Sequence, residues 1–281
     1  MMRADVKVSR PVTQSAAAAP AGATANAPIA LDCVSGLSAS KRPATEKVHL
    51  QVRTFGGLQV RGPDGWRLGP PAKKGGDLIQ LLVTYPTGLV SKEKLVTDTD
   101  LPDGHRRRLY AAASGARTFL RACLGGIDGI RATACGYAWH ERIEVDSDLA
   151  LFIDLRRTGT LDAYKRALDL YTGEFLLGQT AEWIRLVRVL CASMYLEMLE
   201  RVGEAAYAEK HFCDALQYGL SMCAADRGHE LGSRLVMRSL AALGQRNLIT
   251  GEYEALRKYL DQQLGAKPSS ETVHLYYALL N

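Results

Sequence analysis

Cysteine is sparse and scattered in this chain of 281 residues. Cys33, Cys123, Cys135, Cys191, Cys213 and Cys223 include no close pair at metal-ligand spacing. Nor do they make the dense framework that staples a small secreted domain, so they read as reduced thiols in a cytoplasmic protein with no metal site. The six histidines form neither a His-x-x-x-His nor a His-Glu motif. Cys213, beside His211 and Phe212, reads as a buried small hydrophobe next to a surface imidazole rather than as a nucleophile. No run reaches the length and apolarity of a membrane span, so the membrane is not an expected partner. Gly69-Pro-Pro-Ala-Lys-Lys-Gly-Gly76 has glycines and lysines, but not the Gly-x-x-x-x-Gly-Lys-Ser/Thr order that places backbone amides and a lysine around a phosphate. It reads as a loop entering a helix. With no catalytic residue, metal ligand or cofactor to assign, the chain is not expected to be an enzyme.

What is present is an ordinary globular composition, 47% hydrophobic and 23% charged, long enough for two domains and some unstructured sequence. The net charge of +5 is compatible with a nucleic-acid partner without establishing one. Residues 1–47, with Ser15-Ala-Ala-Ala-Ala-Pro20 and almost no periodic apolar content, read as a disordered alanine-rich leader. Alternation begins at Val48: Val48, Leu50 and Val52 face one way, His49, Gln51 and Arg53 the other. Turn signals at Gly56-Gly57 and Gly62-Pro-Asp-Gly65 separate the short strands Leu58–Val60 and Trp66–Leu68, which predicts an antiparallel meander. A helix with Leu78, Ile79, Leu81 and Leu82 on its core face follows and ends before Pro86. Ser91 caps a second helix carrying Lys92 and Lys94.

The third helix is predicted from Asp103, its N-cap after Pro102, to the stop at Gly125-Gly126. Leu109, Ala113, Ala116, Leu120 and Cys123 form its buried stripe. The opposite face collects Arg107, Tyr110, Ser114, Thr118 and Arg121, with Arg117 on its edge. Arg106, Arg107 and Arg108 oppose the helix dipole in the first turn, a small cost that phosphate binding would recover. After this helix, Ile130–His140 and Arg142–Val145 read as the two strands of a hairpin. Trp139 and His140 at its tip, flanked by Arg142, are candidate wing contacts; the alternative is Trp139 packed beneath the hairpin.

Sheet, three helices and hairpin is the order of a winged helix, which offers its last helix to the major groove. Val48–Val60, Gly88-Leu-Val-Ser-Lys-Glu-Lys-Leu95, Gly136-Tyr-Ala-Trp139 and Val145 to Phe152 resemble the OmpR-type winged helix of the SARP transcriptional activators. From Thr160 the pattern is helical to the end, with segments at 161–171, 181–209, 212–224, 228–243, 247–264 and 271–280, joined by short links. Such links stack helices into an array of antiparallel hairpins. Its aromatic residues, Tyr171, Trp183, Tyr195 and Tyr253 among them, are expected in the core. Leu170–Leu176, Trp183 to Arg188, Tyr253 to Leu260 and Leu264-Gly-Ala-Lys-Pro-Ser269 resemble the bacterial transcriptional activator domain, an array similar to tetratricopeptide repeats.

The expected architecture is therefore mainly α with a small β component: leader 1–47, winged helix 48–149, helical array 150–281. No nucleotide-binding module of the larger relatives is expected in it. The resemblance implies a cytoplasmic DNA-binding regulator, an activator, whose array self-associates into a homo-oligomer and contacts RNA polymerase or another partner. Double-stranded DNA would be held at its phosphates by Lys92, Lys94, Arg106 and Arg108, and approached at base edges by Arg107, Tyr110, Ser114, Thr118 and Arg121. Arg117 and Arg142 complete the set. The other open reading is a protein-interaction scaffold with a degenerate winged helix, favoured by Gly75-Gly76, Gly115 and a turn from Leu95 to Asp103 that lacks tryptophan.

Overall fold

In the computed structural model, residues 47–71, 75–85, 88–98 and 106–281 are described, the side chains of Arg106–Arg108 excepted. The expected leader and the Asp103 cap lie outside the described residues. The alternating segment at Val48 forms β1 (Val48–Arg53), followed by β2 (Gln59–Gly62) and β3 (Gly65–Leu68). β1 pairs with β2, and β2 with β3, both antiparallel, as the meander requires. Helix α1 (Gly76–Thr84) turns Leu78, Ile79, Leu81 and Leu82 inward. A strand the sequence reading missed, β4 (Leu89–Ser91), precedes α2 (Lys92–Asp98), whose first turn is closed by Ser91 Oγ accepting from Lys94 N at 3.0 Å. Helix α3 (Arg106–Cys123) buries the predicted stripe of Leu109, Ala113, Ala116, Leu120 and Cys123.

The hairpin differs from expectation. Its strands are β5 (Ile130–Ala132) and β6 (Gly136–Trp139), so its tip is Thr133–Cys135, not Trp139-His140. β6 has β4 on its other side, where a Cβ on Gly136 would fall 1.9 Å from the Val90 carbonyl oxygen. With both edges of β6 taken, β7 (Ile143–Ser147) leaves this three-stranded sheet. It joins the other one, parallel to β1 from Val48↔Ile143 to Val52↔Ser147, giving the order β3-β2-β1-β7. Alternation marks a strand but not its partner, and hence the misassignment.

Helix α4 (Asp148–Thr158) begins earlier than the expected helical region; Ser147 Oγ accepts from Ala150 N at 3.1 Å, and Leu149, Phe152 and Leu155 face inward. The array continues as α5 (Leu161–Leu170), α6 (Glu182–Ala208), α7 (Phe212–Ala225), α8 (Glu230–Ala242), α9 (Ile249–Tyr259) and α10 (Ser270–Leu280). Thr160 and Ser269 cap α5 and α10 through their hydroxyls. Phe212 stacks edge-on against Tyr207, which turns the next residue, Cys213, out to solvent: it is exposed, contrary to expectation. It, Cys123, Cys135, Cys191 and Cys223 are free thiols.

The described residues belong to one compact unit, and one core runs through both halves. Leu50, Val52 and Val60 of the sheet meet α1 and α3; beyond them Phe55 packs edge-on against Phe152, and Tyr171 stacks on Tyr195 at 4.3 Å. The α5–α6 loop closes the junction: Gly56 N donates to Glu174 O, and Leu176 N to Thr54 O. Arg188 holds that loop, donating to the carbonyls of Phe175, Leu176 and Gln179 at 2.6–2.9 Å.

At the far end, Glu230 Oε2 accepts from Ser269 N, Ser269 Oγ and Thr272 Oγ1 at 2.9, 2.6 and 2.6 Å, clamping α10 to α8. Partial burial acts to raise the Glu230 pKa, but the Ser269 and Thr272 hydrogen bonds together outweigh it and hold the carboxyl below its ordinary value. Stability from this clamp is therefore present above the unfolded pKa and lost as pH falls through the lower folded one. Glu230→Gln is expected to cost about 1–2 kcal/mol at neutral pH and progressively less under acid. Urea denaturation at pH 7 and below pH 4 checks this; a pH-independent difference would exclude the carboxylate as its source.

Candidate nucleic-acid interface

The geometry of α3 is set by small residues. Gly75, at φ +99°, caps α1 so close to α3 that a Cβ there would lie 2.4 Å from Ala112 O and from Ala116 N. The alanine run thus lets α1 cross α3 at near backbone contact, while the opposite face of α3 stays open. Along that face Tyr110, Ser114, Thr118 and Arg121 are all exposed, Tyr110 by 66%. They follow one another at three- and four-residue spacing, about one helical turn apart.

Their partners differ. Thr118 Oγ1 donates back to Ser114 O at 3.0 Å, within the helix. Arg121 is held by Asp128 in the loop before β5: Nε donates to Oδ1 at 2.5 Å, and Nη2 to Oδ2 at 2.9 Å. That pairing raises the arginine pKa and lowers that of the carboxyl, in each case chiefly through the hydrogen bond. Arg117 is half-buried and ties α3 to β5 through Nε donating to Ile130 O at 3.0 Å. The backbone places Arg106, Arg107 and Arg108 in the first turn of α3.

The wing tip meets α2 rather than standing apart. Lys92 Nζ donates to Ala134 O at 3.2 Å, and Lys92 N to Cys135 O at 3.0 Å, so Lys92 sits against the tip with its side chain exposed. Lys94 turns inward, 3.1 Å from Asp98 and with Nζ 4.5 Å from the ring centre of Tyr85. Burial acts to lower its pKa, but hydrogen bonds with Tyr85 and Asp98 leave it raised.

Trp139 is a packing residue, its Nε1 donating to Leu82 O at 3.1 Å. Arg142, exposed, follows the end of β6 remote from the tip, beyond a strand about 10 Å long. The fold therefore gathers Tyr110, Ser114, Thr118 and Arg121 on one helix face and brings Lys92 to the tip. Lys94 and Arg117 are engaged internally, and Arg142 stands apart. Asp128 escaped the sequence reading because an acidic residue in a basic region carries no signal until the chain folds it onto Arg121. Arg131, exposed on β5 and 3.7 Å from Glu141, was likewise missed; its place on the wing needs the β5–β6 pairing.

Elsewhere, a cavity of about 720 Å³ between α9 and α10 is lined by Tyr253, Arg257, Lys258, Asp261, Lys267 and Val273. Arg257 there is paired with Glu254. Among the described residues no group of histidine, cysteine or acidic side chains is arranged to hold a metal ion, and no helix is long and apolar enough to cross a membrane.

Residues 148–280 match the bacterial transcriptional activator domain. A solved structure, Mycobacterium tuberculosis EmbR in complex with low affinity phosphopeptide, shares the fold with a TM-score of 0.64 at 17% sequence identity. The similarity covers 82% of this chain and 65% of that one, so the chain spans a little under two thirds of that protein's length. No curated protein matched in sequence. Mainly helical, with a winged helix ahead of a helical array that begins at α4, the chain shares the fold of that structure and carries, over residues 148–280, a region that matches the bacterial transcriptional activator domain.

Proposed function

We propose that this protein is a DNA-binding transcriptional activator acting in the cytoplasm. In this reading residues 48–149 bind double-stranded DNA, and residues 150–281 self-associate or contact RNA polymerase or another partner. No covalent chemistry is involved. The observation that carries it is the open face of α3, where Tyr110, Ser114, Thr118 and Arg121 stand exposed beside one another while the other side of the helix is packed. These residues and Arg107 approach base edges. Lys92, Arg106 and Arg108 hold phosphates, with Arg142 a more distant backbone contact.

Titration of the full chain with fragments of its own promoter region at several salt concentrations tests this. Lys92→Ala is expected to flatten the salt slope by about one unit. Arg107→Ala or Tyr110→Ala should instead cost roughly 1–3 kcal/mol and relax sequence preference. The absence of any saturable, salt-sensitive, sequence-preferring complex would reject it. One observation favours the scaffold reading instead: Lys94 is paired with Asp98, and Arg117 donates its Nε to the Ile130 carbonyl. Under that reading the same titration shows only weak binding, equal for all sequences.

A further inference from the structure

The Arg121–Asp128 pair is more specific than a surface ion pair of opposite charges. The carboxylate takes the Nε–Nη2 side of the guanidinium, one oxygen to each nitrogen. A guanidinium has five N–H donors in a planar fork, so this leaves both protons of Nη1 and one of Nη2. Among the described residues no hydrogen bond to those three is found, and the side chain is 51% exposed. The unused Nη1–Nη2 edge is itself a parallel donor pair, matched to two acceptors side by side. It sits on the same face as Tyr110, Ser114 and Thr118, one turn beyond Thr118.

We propose that Asp128 is a positioning residue for DNA recognition: it fixes the Arg121 guanidinium so that its Nη1–Nη2 edge donates to a pair of acceptors on the duplex. This inference rests on the reading that α3 binds DNA. The acceptor pair is either O6 and N7 of a guanine in the major groove or two oxygens of one phosphate. An arginine free to rotate would lose side-chain entropy on making either contact; held by Asp128, it has lost that freedom already. Asp128 also prevents the fork from turning its Nε side to the DNA, so a single edge is offered.

The test uses the full chain and a randomised duplex library, from which wild-type protein selects its preferred sites. Arg121→Ala, Asp128→Ala and Asp128→Glu are then compared on the selected sites across a salt series, with circular dichroism melting to establish that each variant folds. If the acceptor is guanine, Arg121→Ala loses about 5- to 150-fold of the preference for G at one position. Asp128→Ala then loses part of the preference at that same position, about two- to fivefold, with the salt slope unchanged and Asp128→Glu recovering it. If the acceptor is phosphate, Arg121→Ala weakens binding evenly across sequences and flattens the slope by about one unit. Asp128→Ala then weakens binding evenly as well. Either pattern supports the positioning role.

The proposal is overturned if Asp128→Ala binds more tightly, which would make the carboxylate a competitor of DNA. It is equally overturned if Asp128→Ala changes melting but neither preference nor affinity, which would make the pair a structural link only. If wild-type protein selects no sites at all, the DNA-binding reading fails together with this inference. That result is distinct from a wild type that selects sites and variants that behave like it.

Discussion

Asp148→Ala is expected to lower the unfolding free energy by about 3–5 kcal/mol, because one carboxylate satisfies the backbone at the junction of the two halves. Thr54 N donates to both of its oxygens at 2.8 Å, Thr54 Oγ1 at 2.7 Å, Phe55 N at 3.0 Å, and Leu149 N of its own helix at 2.8 Å. Thr54 is fully buried, so its amide and hydroxyl have no water to turn to when the carboxylate is removed. Hydrogen bonds to a charged acceptor are worth about 1.5–3 kcal/mol each, and orphaned buried donors add their own desolvation cost. The first turn of α4 also favours an anion at this position. Asp148→Asn, which keeps one oxygen, should lose about half as much. Urea unfolding followed by circular dichroism reads both variants; a loss below about 1 kcal/mol for alanine would show that solvent reaches Thr54 and Phe55 after all.

Gly75→Ala is expected to be comparably severe, at about 3 kcal/mol or more, and also to disturb α3. Two costs combine. An L side chain at φ +99° is strained by about 1–3 kcal/mol. The added Cβ would also meet backbone atoms of Ala112 and Ala116 at 2.4 Å, and backbone cannot swing aside as a flexible side chain can. Relief requires α1 and α3 to separate. Gly125→Ala is the control, since it shares a positive φ, +61°, with open space around the new methyl group. It should cost only about 1 kcal/mol, the conformational share. Thermal melts that place both variants at the same stability would dismiss the close α1–α3 crossing as the cause. On the DNA-binding reading, Gly75→Ala should lose affinity under conditions where it is still folded, whereas Gly125→Ala should not.

Gly75 also shows how one residue reads differently before and after folding. In one dimension Gly75-Gly76 counts toward a degenerate winged helix, and Ala113 and Ala116 are simply part of the apolar stripe of α3. In the folded chain the two belong together, because the glycine and the small side chains of Ala112 and Ala116 allow the crossing that leaves Tyr110, Ser114, Thr118 and Arg121 outward.

Period and punctuation were legible. Alternation at Val48–Arg53, the apolar stripe of α3, the caps at Ser91 and the helix rhythm after Thr160 are local properties. Each follows from backbone geometry within a few residues of itself. The face of α3 opposite its stripe was readable for the same reason, since 100° per residue assigns sides without any partner being known. Pairing across distance was not legible. Whether Ile143–Ser147 lies beside Trp139 or beside Val48 depends on which edge is vacant. Gly136 decided that by letting β4 approach β6. The state of each cation was hidden too: Lys92, Lys94, Arg117 and Arg121 are equivalent as letters. Folding leaves Lys92 at the wing tip, turns Lys94 toward Asp98, ties Arg117 to Ile130, and sets Arg121 against Asp128. Local sterics and hydrophobic period are written along the chain, whereas pairing and charge neutralisation arise between residues that meet only after collapse. The two-part helical architecture therefore came from sequence, and which cations stay exposed and which are paired came from packing.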